Sequence, residues 1–145
     1  MADRQISATR TISAPAARLF DLVADPAKHP LVDGSGTVRG VRENQTKRLE
    51  LGSRFGMEMR MGVPYKITNQ VVEFEEGSLI AWRHPGKHIW RWEFKAIDDD
   101  RTEVTETFDW SGVKAAKFYE IAGLPRRNLK SMQNSLLRME QVAVG

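Results

Sequence analysis

The chain has 145 residues, with 22 Lys+Arg against 19 Asp+Glu, a net charge of +3, and no cysteine. That length suits one domain, residues 1–145, with a core that needs no cross-links, and the missing thiols exclude a disulfide framework, a cysteine nucleophile and a thiolate metal site. The charge is mildly basic and has no long like-charged run, and no apolar run nears the roughly 18 residues of a membrane span. With no apolar secretion signal in "MADRQISATR", the expectation is a cytoplasmic protein with no membrane span.

In chain order, "RQISATRTIS" alternates as a strand with Ile6, Ala8, Arg10 and Ile12 on one parity. "SAPAARLFDLVAD" follows as a helix, with Ser13 as its cap, Pro15 in its first turn and Ala16, Leu19, Phe20 and Val23 as its apolar stripe. Asp25-Pro26 stops it, and "DGSG" at 33–36 reads as a turn. A run of strands comes next: "GTVRGVREN", "RFGMEMRMG", "YKITNQVVEFEEG", "LIAWRH", "HIWRWEFKAI" and "TEVTETFDW". Short connections make neighbours antiparallel. In the second of these, Phe55, Met57, Met59 and Met61 share one face. From Ser111 the spacing turns helical, Gly123-Leu124-Pro125 breaks it, and Leu129, Met132, Leu136, Met139 and Ala143 then recur every three or four residues. The order predicts an α+β fold of about seven strands in which an antiparallel sheet wraps the last helix.

Three segments, "TISAPAARLFDLVADPAKHP", "DRTEVTETFDWSG" and "NLKSMQNSLLRME", together with this order of elements, resemble the START/Bet v 1-like superfamily. The chain is most similar to its small bacterial polyketide cyclase/dehydrase and lipid-transport-like proteins. The resemblance implies a helix-grip fold, with short helices after the first strand and a hydrophobic cavity between a curved sheet and the C-terminal helix. It implies no particular reaction, because the superfamily includes cyclases, carriers, hormone receptors and stress-response regulators.

Residue spacing fixes more detail in the "HPGKH" hairpin. With Pro85, Gly86 and Lys87 as the loop, His84 faces His88, Trp82 faces Trp90 and Ile80 faces Trp92, all on one side of the sheet. Around "DDDR" a three- or five-residue loop pairs Trp90 with Trp110, Trp92 with Phe108 and Phe94 with Glu106; a two- or four-residue loop would instead turn Thr105, Thr107 and Asp109 inward. The first is preferred because it buries Val104, Phe108 and Trp110, and it turns Glu106 inward.

An inward carboxylate loses hydration, which suits acid/base work or recognition of a ligand hydroxyl. The bland alternatives for Glu106 are an Arg or Lys partner, a place at the open edge, or a register that turns it to solvent. His84 and His88 are further acid/base candidates, since imidazole titrates near neutrality. With only His29 besides, they lack the ligand set of a metal site, and neither a metal nor another cofactor is expected. Met57 and Met59 fill a core or line an adaptable ligand site. The candidate ligand-binding set is Phe55, Met57, Met59, Trp82, Trp90, Trp92, Phe108, Trp110, Met132 and Leu136.

Arg126, Arg127 and Lys130 read as a solvated helix face rather than a nucleic-acid site, and no nucleic-acid partner is expected. Three functions follow from these readings. The preferred one is binding of a small hydrophobic molecule, ring-containing, polyketide-like or lipid-like. A cyclase/dehydratase-type enzyme using Glu106 or a histidine is the second, and a regulatory interaction module without ligand is the third. The ligand is not named by the sequence, and the oligomeric state, a homodimer included, stays open.

Overall fold

Alternating side chains build β1 (Gln5–Ile12), which buries Ala8 and Ile12 and turns Arg10 toward the far end of the last helix, where it meets Glu140 at 2.7 Å. The computed structural model describes residues 4–32, 38–41, 48–61 and 63–144, and of residues 27, 38–41, 57–61 and 63–66 it describes the backbone alone.

Helix α1 (Ala16–Ala24) starts one residue after Pro15, whose carbonyl accepts the N–H groups of Arg18 and Leu19 at 3.1 and 3.2 Å. Pro15 is the capping residue, with no side-chain cap, so Ser13 does not have the role expected of it. The ring fixes φ at −63° with ψ at 145°, the extended geometry of an N-cap, and the Pro15 carbonyl takes the first helical N–H groups without a side-chain cap. Asp25 is extended (φ −104°, ψ 108°), as a residue before proline must be. The chain then rewinds at once into a 3₁₀ turn, Pro26–Lys28, and a short α2 (His29–Val32), because a proline that ends one helix is well placed to begin another.

The strands are β2 (Val38–Val41), β3 (Arg54–Met61), β4 (Val63–Glu75), β5 (Leu79–Arg83), β6 (Ile89–Asp98) and β7 (Arg101–Asp109). They form one antiparallel sheet in the order β1-β7-β6-β5-β4-β3-β2, a meander whose last strand pairs with the first. The expected 33–36 turn lies outside the described residues.

Two hairpins set the faces. At "HPGKH" the register is Ile80↔Trp92 and Trp82↔Trp90, as expected, and the N–H of His84 donates to the His88 carbonyl at 2.9 Å. The β6–β7 hairpin keeps the expected parity with a different register: Trp90 faces Phe108, Trp92 faces Glu106 and Phe94 faces Val104. The loop holds only Asp99 and Asp100, and a bulge between Ala96 and Asp98 shifts the strand back by one residue. A two-residue loop alone would have turned Thr105 and Thr107 inward; the bulge restores the even positions. Glu106 therefore stands beside Trp92, not Phe94.

Helix α3 (Ala116–Ile121) and the long α4 (Leu124–Val144) are separated at Gly123, whose φ of 75° favours glycine. Pro125 falls in the first turn of α4, where an absent N–H costs no helical bond. Helix α4 buries Met132, Ser135, Leu136 and Met139, packing on β1, β7 and α2. Helix α1 covers β6, with the Phe20 ring edge-on to Phe74 and Phe94 at 5.7 and 5.6 Å. This is the helix-grip α+β fold, a curved antiparallel sheet around a long C-terminal helix. No helix among the described residues is long and apolar enough to cross a membrane.

Candidate functional site

Because α4 packs on the β1–β7 end and α1 on β6, the inner face changes character along β6. At one end Phe94 is sealed beneath α1, and Trp92 is 4% exposed. Trp90 and its partner Trp82 are only partly buried. The other end, at His84 and His88, is roofed by α3.

That roofed end holds a compact ring cluster. The imidazoles of His84 and His88 stack at 4.3 Å, and His88 also meets Trp90, Phe108 and Tyr119 at 6.1, 5.2 and 5.7 Å. A hydrogen bond of 3.1 Å joins Nδ1 of His88 to the Tyr119 hydroxyl, and the N–H of Gly86 donates to Nδ1 of His84 at 2.8 Å. Burial, helped by the neighbouring His84, pushes the His88 ring down to about 3; burial also lowers His84 and raises the Tyr119 hydroxyl. The pair is thus neutral at physiological pH, when one ring can offer a donor and an acceptor at once.

Next to Tyr119 on the same side of α3, Glu120 ties the helix down as well. One carboxylate oxygen of Glu120 accepts both the indole N–H of Trp110 at 2.7 Å and Nε of Arg4 at 3.1 Å. Trp110 therefore works as a bracket for α3 and stacks on Phe108 at 5.5 Å.

Midway along the face lies Glu106, 6% exposed, between Ala8 of β1 and Trp92 of β6. Its rung and that of His88 are four residues apart along β6, or about 13 Å of strand. The carboxylate and the imidazoles thus stand at different depths, with Trp90 and Phe108 on the rung between.

A third group gathers near α2. His29, buried, donates from Nε2 to the Val23 carbonyl at 2.6 Å, stacks on Trp82 at 5.2 Å and meets Phe55 edge-on at 5.5 Å. Phe55 pairs across β3–β4 with Asn69, which is 3% exposed and whose Oδ1 finds no donor among the described residues.

Of the ligand-binding candidates, Phe55, Trp92, Phe108, Met132 and Leu136 are buried in the core cluster, while Trp82 and Trp90 pack at its edge. Met57 and Met59 lie on β3, with side chains outside the description. Sequence reasoning missed Tyr119, His29 and Asn69 as members of this surface. Tyr119 sits in a six-residue helix, too short for a periodic signal, though Ala116 three residues earlier marks the same inward face. Among the described residues no three His, Asp or Glu side chains gather as they would around a metal ion.

Comparison with known proteins agrees with this architecture. A family described as "Polyketide cyclase / dehydrase and lipid transport" matches residues 3–144. Two uncharacterized proteins of Mycobacterium tuberculosis, from strains H37Rv and CDC 1551, are 41% and 40% identical over 97% of this chain. The chain spans 65% of the length of these relatives. Among solved structures, protein CV1439 from Chromobacterium violaceum superposes with a TM-score of 0.76 at 19% identity, covering 98% of each chain. A START superfamily protein from Mycobacterium smegmatis gives 0.74 at 15% identity, covering 97% of each. At these identities the likeness is one of fold.

Proposed function

Because the chain belongs to the polyketide cyclase/dehydrase and lipid transport family, we propose that residues 1–145 act as one domain that binds a small hydrophobic molecule, ring-containing, polyketide-like or lipid-like, against the inner face of the sheet. The observation that carries this reading is the partial burial of Trp82 and Trp90 between sealed neighbours, Ile80 and Trp92 on one side and Phe108 on the other. Two facing indoles with surface still open form an apolar wall for a flat or chain-like ligand. Around them stand single polar groups: Asn69 Oδ1 as an acceptor, the Glu106 carboxyl, and the neutral His88 with the Tyr119 hydroxyl. An apolar cleft with a few placed polar groups is the usual form of a small-molecule site.

A cyclase or dehydratase reading rests on Glu106 and the histidines as acid and base. Proton transfer needs a group within about 3 Å of the reacting atom, or one water away, and the two candidate sets are about 13 Å of strand apart. One of them would have to work on the substrate without the other, which favours binding over paired acid/base catalysis.

The test is native mass spectrometry of the protein purified from its own host, followed by fluorescence titration with the molecule that co-purifies. A bound apolar molecule that quenches tryptophan emission saturably in the wild type, and at least tenfold more weakly in Trp90→Ala, is the expected result. If no molecule co-purifies and a panel of polycyclic and acyl-chain probes leaves the emission unchanged, the reading fails.

A further inference from the structure

The outward side of α3 carries two large apolar side chains. Tyr119 and Glu120 are tied to the body of the protein and Ala116 is buried, so helical spacing leaves Lys117, Phe118 and Ile121 on the opposite side, with Lys114 exposed in the turn that leads into the helix. Phe118 is 68% exposed and Ile121 86%, the two highest values among the exposed large hydrophobics of the described residues. They are adjacent on one short helix.

The chain on either side of them is rich in cations. Lys114, Lys117, Arg126, Arg127 and Lys130 are all exposed, and the single acid in this stretch, Glu120, is engaged by Arg4 and Trp110. Residues 111–131 thus hold five of the 22 Lys+Arg and one of the 19 Asp+Glu, which leaves 17 cations against 18 acids elsewhere. The whole of the chain's net positive charge resides in this stretch.

We propose that α3 and the first turns of α4 form a docking surface for an anionic phospholipid bilayer, with Phe118 and Ile121 entering the headgroup–acyl boundary and the five cations meeting lipid phosphates. A membrane surface uses both features together, since apolar insertion and attraction of Lys/Arg to anionic lipid add. A second copy of the chain fits poorly, because a two-fold contact through this patch would set the same cations against each other. Two protruding side chains are also too few for the core of a stable protein interface, which takes about 800 Å² from each partner. Nucleic acid would use the cations and leave Ile121 without a role. The surface is read from the outside of α3 and does not depend on what the interior binds.

Flotation with vesicles of phosphatidylcholine and phosphatidylglycerol, compared with phosphatidylcholine alone, tests it without any ligand. The protein should float with the anionic vesicles, stay behind with the neutral ones, and lose binding as salt rises. Lys114→Glu with Lys117→Glu should weaken partitioning at least about 25-fold, from roughly fivefold per cation. Phe118→Ser with Ile121→Ser should abolish flotation while the melting temperature, set by a core these residues do not enter, stays near wild type. No flotation with anionic vesicles at low salt, unchanged partitioning of the serine variant, or tighter binding to an oligonucleotide than to the vesicles would each overturn the proposal.

Discussion

The Tyr119 hydroxyl stands 3.1 Å from Nδ1 of His88, and the missing side chain of Gly86 leaves it room: a Cβ there would lie 2.9 Å from that oxygen and 3.1 Å from Nδ1 of His84. Gly86→Ala should therefore push the tyrosine off its partner. Because the obstructing atom is the end of a side chain that can swing away, the cost should be about 1 kcal/mol, near that of one lost hydrogen bond. The clearer signature is faster amide exchange across Ala116–Ile121, shared with Tyr119→Phe and absent from the strands. Unchanged exchange in α3 for both variants would mean that the bond does not hold the helix.

Acid should weaken the fold through His88. The folded ring takes up its proton only near pH 3, whereas the unfolded ring does so near 6.5, so between these values the unfolded chain binds more protons. Stability is then fully present above about pH 6.5 and falls as the pH drops through the window. His84, also lowered by burial, adds in the same direction. Unfolding free energies from urea titrations at pH 7 and pH 4.5 should differ by roughly 2 kcal/mol more in wild type than in His88→Gln. Identical pH dependence in the two proteins would show that the ring is not held neutral.

The loop of that hairpin carries strain that can be removed. Lys87 has φ at 79°, and its N–H donates to the His84 carbonyl at 2.8 Å. This is the three-residue hairpin in which a left-handed residue follows the turn, a place where glycine is usual. Lys87→Gly should raise the unfolding free energy by about 0.5–1 kcal/mol relative to Lys87→Ala, since only glycine avoids the Cβ penalty. A glycine variant less stable than the alanine one would mean that the backbone is not strained there.

These residues also show what the sequence could and could not disclose. The His84–His88 hairpin was legible because three facing pairs fell into place for one loop length. The β6–β7 register was displaced by two residues because Ile97, which makes the bulge, looks like any other strand residue; only pairing with Arg101 reveals that it is extra. A second bulge between Val71 and Glu73 likewise passes the inner face from Val71 to Phe74, a change of parity that alternation cannot show. The burial of Glu106 survived because parity, unlike register, followed from burying Phe108 beside it. His29 and Tyr119 come from segments of four and six residues, whose direction is set by what they pack on.

Glu106→Gln keeps the shape of the side chain and replaces its carboxyl with an amide. If this carboxyl anchors a polar atom of the ligand, affinity for the co-purifying molecule should fall about tenfold, in line with the loss of one hydrogen bond. The melting temperature should change by no more than a few degrees. Unchanged affinity would remove Glu106 from the site and leave it a structural carboxyl.

Adjacent aromatics on β6 should separate core from binding surface. Trp92 is sealed beneath its neighbours, so Trp92→Ala opens a cavity and should cost about 3–5 kcal/mol. Trp90 is only partly buried, so Trp90→Ala should cost less than half as much, and Trp82→Ala likewise. The order reverses for ligand: a residue whose open surface is covered only when the ligand binds contributes to affinity without contributing fully to stability. Paired urea titrations and ligand titrations on the three variants decide the matter. If Trp90→Ala is as destabilising as Trp92→Ala and ligand affinity follows stability alone, the aromatic side of β6 is core along its whole length.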